Sequence, residues 1–451
     1  MPTLALIYPL YTNEKLDRNA RTIYPLGLAY LAAYAPEDWN VTVIDEQFTA
    51  VNYDMAVDLI GITTTTLTAT RSYAIADEFR KRGKKVILGG VHASTCPDEA
   101  LQYADSVCIG DGEHVIANML QDYARGELKE RYSAPPQPLD GLRPPRHDLF
   151  PAKYTFLPVS TSRGCPFNCT FCCINEFYMG RYRLRPVEEV IAELKSLPRG
   201  YDIVFFTDGN MFGYSKKDAK RFKELCRRMA EERKLGTLPF KYFTCYGSIN
   251  ALADDEALDL AVASGCVAML VGFESINPES LKSMNKVLNL KYGVDSYFEL
   301  VLNAQKRGLL VVGEMIVGSD GDDQKALDDT RTFLDKINFD ILRLQILQPL
   351  PGTKLFGALK EEGRLHLKDF PRDWDRLRDG FLVGVSFDLK QLEATSLQRW
   401  VKDTGMAFYA YPRIAVRAMK TLRHSWSPRL AATLVKMNLR SRRTYANLEI
   451  A

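Results

Sequence analysis

Over the first 125 residues, short apolar runs alternate with segments whose apolar positions recur at helical spacing. Residues 4–8 form an apolar run of strand length, and residues 26–34 repeat their apolar side chains at helical period. Residues 41–44 are β-branched and end at Asp45; residues 59–63 form another strand-like run, and residues 71–82 follow with a helical pattern. Residues 86–88 run into Gly89-Gly90, residues 106–109 run into Gly110-Asp111-Gly112-Glu113, and residues 115–123 read as a closing helix. Alternation at this pitch predicts a doubly wound parallel sheet. Ligands of such sheets bind beyond the carboxyl ends of the strands. Those ends carry Thr63, Thr64 and Thr65, the pair Gly89 and Gly90, and Gly110 through Glu113. Glycine lets a ligand approach the backbone, and hydroxyls can bond amide or phosphate groups.

Residues 126–150 hold Pro135, Pro136, Pro138, Pro144 and Pro145 with no apolar period, which reads as a semi-rigid linker. From Phe156 the alternation restarts. Strand-like runs at 157–161, 203–207, 242–246, 268–271, 309–317 and 340–347 are separated by helical patterns that include 187–197, 217–232 and 251–264. Six such units predict a partial (β/α) barrel with its chemistry at the carboxyl ends of the strands. The expected division is therefore 1–125 Rossmann-like, 126–150 linker, 151–355 barrel, and 356–451 mainly helical and basic. A chain of 451 residues suits two to three domains.

Composition narrows the class without naming a function. The 46% hydrophobic and 25% charged fractions are those of a soluble globular protein, and a net charge of +3 gives no global pointer to nucleic acid. No apolar run reaches the roughly 18 residues that would span a bilayer. The N-terminus has no basic n-region and no small-residue cleavage site, so no signal peptide is read. Nine cysteines without a paired framework fit a reducing cytoplasm. Residues 404–448 contain no Asp or Glu but nine basic residues: Arg413, Arg417, Lys420, Arg423, Arg429, Lys436, Arg440, Arg442 and Arg443. Phe408, Tyr409, Tyr411, Trp426 and Tyr445 are interleaved with them. Such a segment suits peripheral contact with an anionic membrane, or it is a helical cap with a solvated basic face.

The strongest chemical signal is Cys165, Cys169 and Cys172, spaced C-x-x-x-C-x-x-C just after the first barrel strand. Three thiolates from one tight loop can hold three irons of a four-iron cluster and leave the fourth iron open to a small molecule. A pure electron carrier brings four protein ligands to its cluster. A zinc site would want a fourth Cys or His, and Cys173 is poorly placed to close that tetrahedron.

With this loop and Phe171 before the third ligand, the segment 156–355 resembles the radical SAM superfamily. The resemblance implies a [4Fe-4S] cluster and S-adenosylmethionine (SAM), with Asp208 and Gly209 meeting the SAM amino group. Ser248 and Glu274 would meet its ribose or carboxylate, and Gly318 would end the strand flanking the adenine. Read alone, Asp208 also suits a helix N-cap and Glu274 a capping carboxylate.

Through Tyr24-Pro25-Leu26-Gly27-Leu28, Gly61-Ile62-Thr63, Gly89-Gly90-Val91-His92 and Gly110–Glu113, the first 125 residues resemble the cobalamin-binding domain fused to many radical SAM enzymes. No His precedes His92, so the cobalt-ligating D-x-H-x-x-G is absent and a base-off cobalamin without a protein His is expected. His92 reads as a loop or core residue. A flavodoxin-like scaffold without cofactor is the alternative. Cobalamin contacts are expected from Thr63, Thr64, Thr65, Gly89, Gly90, Gly110 and Glu113.

Pro351-Gly352-Thr353-Lys354-Leu355, Glu361-Glu362-Gly363-Arg364-Leu365 and Phe408-Tyr409 extend the resemblance to the hopanoid-methylase-like group. It implies C-methylation of an unactivated carbon in a hydrophobic small molecule or lipid, with a flavodoxin or ferredoxin-like reductant. Oxidative cyclisation or carbon–carbon coupling would use the same cofactors, and a non-catalytic iron–sulfur redox protein would use only the cluster. No side chain is singled out as acid, base or nucleophile, and the expected location is cytoplasmic, with or without membrane contact.

Overall fold

The computed structural model describes residues 1–10, 23–150, 154–380, 382–425 and 428–450. Its first unit runs β1 (Thr3–Tyr8), α1 (Leu26–Tyr34), β2 (Asn40–Asp45), β3 (Leu59–Thr63), α2 (Ala69–Lys81), β4 (Lys85–Gly89), α3 (Val91–Thr95), α4 (Pro97–Tyr103), β5 (Ser106–Ile109), α5 (Ile116–Ala124) and β6 (Arg131–Ser133). The sheet order is β2-β1-β3-β4-β5-β6, with every neighbouring pair parallel. Leu4, Ala5, Leu6 and Ile7 are all buried, as befits a parallel strand covered on both faces. The order reverses at β1/β3, and crevices for ligands open at such switch points. Two features were not read from the pattern. The proline-rich stretch contributes β6, which covers the edge of β5, and buries Leu139, Leu142 and Phe150. The short helices α3 and α4 carry His92 and Glu99 behind β4.

The second unit contains β7 (Leu157–Val159), β8 (Ser162–Arg163), α6 (Cys173–Phe177), β9 (Arg183–Leu184), α7 (Val187–Ser196), β10 (Ile203–Phe206) and α8 (Lys216–Lys234). It continues through β11 (Tyr242–Gly247), α9 (Ile249–Leu252), α10 (Asp255–Ser264), β12 (Cys266–Glu274), α11 (Pro278–Ser283), α12 (Val287–Tyr292), α13 (Tyr297–Lys306), β13 (Leu310–Val317), α14 (Gln324–Lys336) and β14 (Ile341–Ile346). The six parallel strands follow the order β14-β13-β12-β11-β10-β7 and leave β7 and β14 as open edges, a partial barrel. The pattern at 251–264 is two helices, because Asp254 accepts from the Ala257 N–H at 3.0 Å and starts α10 afresh.

The chain closes with α15 (Lys354–Glu361), α16 (Trp374–Asp379), α17 (Ala394–Phe408), α18 (Tyr411–Ser425) and α19 (Pro428–Ala446). These helices seal the β14 edge with tyrosines. The Tyr409 hydroxyl donates to the Leu342 carbonyl at 2.7 Å and accepts from the Leu342 N–H at 2.9 Å. Tyr445 does the same for Leu344, at 3.0 and 2.9 Å. The nine basic residues divide into two groups. Arg417 is buried and donates to Asn438 and the Phe408 carbonyl, Arg442 bonds the Met406 and Tyr409 carbonyls, and Arg413 pairs with Asp335. Lys420, Arg423, Arg429, Lys436, Arg440 and Arg443 are exposed, while Trp426 lies outside the described residues. Among the described residues no helix is long and apolar enough to cross a membrane.

Candidate cofactor site

The cysteine loop is set by a two-strand ribbon. β8 pairs antiparallel with β9, and Gly164 then turns the chain at φ +85°. A Cβ on Gly164 would lie 2.0 Å from the Arg181 carbonyl oxygen, so only glycine lets the loop leave the ribbon here. Cys165, Cys169 and Cys172 are free and partly buried. Burial pushes the Cys165 thiol up to about 11 and Cys172 up to about 12, and it raises Cys169 as well. The Lys286 ammonium opposes the shift at Cys165 and Cys169 and pairs with Glu274 at 3.0 Å. Binding iron there must displace thiol protons. Among the described residues no group of three His, Cys, Asp or Glu side chains is arranged to hold a single metal ion. Cys173 begins α6 and lines a cavity shared by the two sheets.

The residues expected around SAM divide by role. Phe171 packs against the apolar cluster that includes Met284, Ile316 and Phe387, so it backs the cysteine loop. Asp208 is buried and its carboxylate is already engaged. It accepts from the Thr161 N–H at 3.1 Å, from the Thr161 hydroxyl at 2.8 Å and from the Ser162 hydroxyl. It caps no helix; it fastens the end of β7 to the start of the cysteine loop. Gly209 follows on the cavity wall, where a Cβ would come 3.0 Å from the Gly164 carbonyl oxygen. The Ser248 hydroxyl accepts from Asn210 Nδ2 at 3.0 Å and donates to Asn250. Glu274 is a non-glycine residue at φ +60°, beside an irregularity in the β12–β13 register, and its carboxylate turns back to Lys286. Strain of this kind persists where the surroundings over-determine it, and it concentrates at functional sites. Gly318, at φ +88°, turns the chain after β13 with its N–H donated to Asp322 at 2.8 Å.

The cavity, about 350 Å³, lies between the carboxyl ends of the two sheets. The first sheet contributes Leu6, Gly61, Thr63, Gly89, Gly90, Gly110 and Glu113, and the second contributes Arg163, Gly164, Cys173, Thr207 and Gly209. Thr63, Gly89, Gly90, Gly110 and Glu113 therefore sit where a cobalamin contact was expected. Thr64 and Thr65 do not line it. The Thr64 backbone bonds Gly89 and His92, its hydroxyl is buried without a hydrogen-bond partner among the described residues, and Thr65 is tied to Thr68 in a tight turn. The donor set fits a corrinoid held by shape. Gly27 on the cavity wall has nothing within 4 Å of where a Cβ would stand, Gly61 and Gly90 let β3 and the turn after β4 pack closely against Leu6 and Thr64, and no His lines the cavity among the described residues. His92 is buried elsewhere, between the Thr66 hydroxyl at 3.2 Å and Glu99 at 3.1 Å.

A buried ionic bridge missed by sequence reasoning joins the two cofactor loops. Arg163 Nη1 stands 2.9 Å from Asp111 Oδ1, its Nη2 meets Glu113, and Arg183 Nη2 holds Asp111 Oδ2 at 2.7 Å. The Arg163 guanidinium also covers the Tyr30 ring at 5.2 Å. Burial works against the charge of Arg163, but Glu113 and Asp111 outweigh it and keep the guanidinium more firmly protonated than usual. An Arg two positions before the first ligand is visible in the sequence, but its acidic partners lie about fifty residues upstream and carry no local signal.

Comparison with known proteins agrees with this geometry. The radical SAM superfamily matches residues 159–334 and the B12 binding domain matches residues 19–120. The chain is 31% identical to the bacteriochlorophyllide d C-12(1)-methyltransferase of Chlorobaculum tepidum over 82% of its length and 80% of that protein. The C-8(2)-methyltransferase of the same organism is 29% identical over 93% and 91%, and the hopanoid C-2 methylase of Rhodopseudomonas palustris 28% over 80% and 70%. The cobalamin-dependent SAM radical enzyme OxsB, solved with aqua-cobalamin and SAM, has a similar fold. Its TM-score is 0.69 at 16% identity, covering 100% of this chain and 76% of that one. The chain thus belongs to the cobalamin-dependent radical SAM methyltransferase family, whose cofactors are a [4Fe-4S] cluster, SAM and cobalamin.

Proposed function

We propose that this enzyme C-methylates an unactivated carbon of a hydrophobic small molecule or lipid. The observation that carries the reading is the single cavity walled by Gly89, Gly90 and Gly110 on one side and by Arg163, Gly164 and Cys173 on the other. Together the bound cofactors supply a carbon-centred radical from SAM and a transferable methyl group on cobalt. In this reading Cys165, Cys169 and Cys172 hold the cluster and Phe171 packs behind it. Gly209, Ser248, Glu274 and Gly318 surround SAM. Asp208 is a positioning residue, acting through Thr161 and Ser162. Thr63, Gly89, Gly90 and Gly110 receive cobalamin, and Glu113 acts through Arg163. The largely apolar cavity wall keeps water from the radical. A flavodoxin or ferredoxin-like protein supplies the electron. Relatives named for bacteriochlorophyllide and hopanoid methylation support a hydrophobic substrate. The test is transfer of label from methyl-labelled SAM into an organic-extractable product. An oxidative cyclase or coupling enzyme would consume SAM and leave the product unlabelled.

The exposed face of α18 supports contact with an anionic membrane surface. Tyr411, Val416, Met419 and Leu422 stand out from it at 65%, 44%, 63% and 43% exposure, beside the exposed Lys420 and Arg423. Apolar side chains interleaved with exposed positive charge suit a helix lying in a headgroup layer. Co-sedimentation with phosphatidylglycerol vesicles, but not with phosphatidylcholine vesicles, is expected. A Met419→Ser, Leu422→Ser variant that sediments unchanged would refute the contact.

A further inference from the structure

The barrel lumen contains a polar layer that neither the cluster nor the cobalamin cavity uses. Side chains alternate across a parallel strand. On β14, Leu342, Leu344 and Ile346 join the core under the outer helices, so Ile341, Arg343 and Gln345 face inward. Gly272 of β12, Glu314 of β13 and Arg343 of β14 are in direct register across this inner face. One step toward the amino ends, Leu270, Val312 and Ile341 close the lumen against Leu434 of α19. Two residues toward the carboxyl ends, roughly 6–7 Å by strand rise, Ile316 belongs to the apolar cluster against which Phe171 of the cysteine loop packs. The polar layer therefore lies between an apolar floor and the cysteine loop.

Its geometry leaves one group open. Arg343 Nη1 donates to Glu314 Oε1 at 3.0 Å and to the Tyr246 hydroxyl at 3.4 Å. Among the described residues these are the hydrogen bonds of the guanidinium, so Nη2 and Nε keep their donors. The Arg343 side chain is 52% exposed, against 23% for Glu314. A guanidinium free on one edge presents two donors in the fork that matches a carboxylate.

We infer that Arg343, oriented by Glu314 and Tyr246, is a substrate subsite that binds a carboxylate on an otherwise apolar molecule. The inference rests on the methyltransferase reading and adds to it that the substrate is an apolar acid, held by its charged end in the lumen while its body extends toward the cluster. The carboxylate of SAM offers the same chemistry, so the test separates the two sources.

Protein reconstituted with cluster and cobalamin is titrated with protoporphyrin IX and its dimethyl ester, and with dodecanoate and methyl dodecanoate. Binding is followed by porphyrin fluorescence and by calorimetry. Wild type is expected to bind the acid of at least one pair tenfold or more tightly than its ester, the scale of one charge-assisted hydrogen bond. Arg343→Gln removes that preference and Arg343→Lys keeps part of it. Glu314→Gln, which frees the guanidinium further, retains it. SAM affinity and uncoupled 5′-deoxyadenosine formation stay within twofold of wild type in Arg343→Gln. Equal binding of acid and ester by wild type, with SAM cleavage intact, overturns the inference and leaves the methyltransferase reading standing. A tenfold loss of SAM binding in Arg343→Gln assigns the site to SAM and also overturns it. Failure of every probe to bind refutes the apolar acid, whereas failure to bind corrinoid refutes the underlying function.

Discussion

Replacing Arg163 with Met tests whether the two cofactor loops act as one unit. Arg163 is 6% exposed and holds Glu113 directly and Asp111 at 2.9 Å. In the variant Asp111 keeps Arg183, but Glu113 loses its cation inside the protein. Removing one partner of a buried pair costs about 3–5 kcal/mol, mostly the charge left uncompensated. The two units need not unfold together, so the loss should be read locally. Amide hydrogen exchange across residues 110–113 and 162–165 should accelerate by about 150- to 4000-fold if this cost falls on local opening. Reconstituted protein should then lose most of its corrinoid on gel filtration. Glu113→Gln added to Arg163→Met removes the stranded charge and should recover part of both losses, as coupled neighbours do. Unchanged exchange and corrinoid retention in Arg163→Met, or a double variant no better than the single, would refute the bridge.

Three further outcomes are expected. Gly164→Ala places a Cβ 2.0 Å from a carbonyl oxygen at φ +85°, so purified protein should carry less than about a tenth of the wild-type iron; near-normal iron content contradicts this. Tyr409→Phe strands both edge groups of Leu342 and should lower stability in urea unfolding by about 1–3 kcal/mol, whereas a loss well below 1 kcal/mol would show that the edge finds other partners. Burial holds the His147 imidazole down to about 4, with its side chain 10% exposed. Its folded pKa lies below the ordinary 6.5, so this residue's contribution is intact above pH 6.5 and falls by about 3 kcal/mol as the pH drops to 4. His147→Phe should flatten the stability profile by that amount over that window, and parallel profiles would refute the assignment.

What could be read from the chain was whatever local pattern determines. The cysteine spacing, the strand runs and the glycines ending β4 and β5 each announce themselves within a few residues, and the cavity forms where those ends meet. Long-range pairing does not. Glu113 reads as a ligand contact in isolation, and only the fold brings Arg163 to it. Asp208 reads as a SAM contact or a cap, but the end of β7 claims its carboxylate. Arg343 is one basic residue in an apolar run until strand register shows which face points inward. The proline-rich segment hid β6 because three residues carry no measurable period. The basic C-terminus could not be divided by composition, since Arg417 and Arg423 look alike until one is seen buried against Asn438.

In the proposed reading Cys165, Cys169 and Cys172 would hold a [4Fe-4S] cluster that would supply the electron for reductive cleavage of SAM. Anaerobically reconstituted protein, given a strong reductant and SAM, should form 5′-deoxyadenosine, and the Cys165→Ala, Cys169→Ala, Cys172→Ala protein should form none above background. Equal 5′-deoxyadenosine from both proteins, or none from wild type with an intact cluster, would contradict the account.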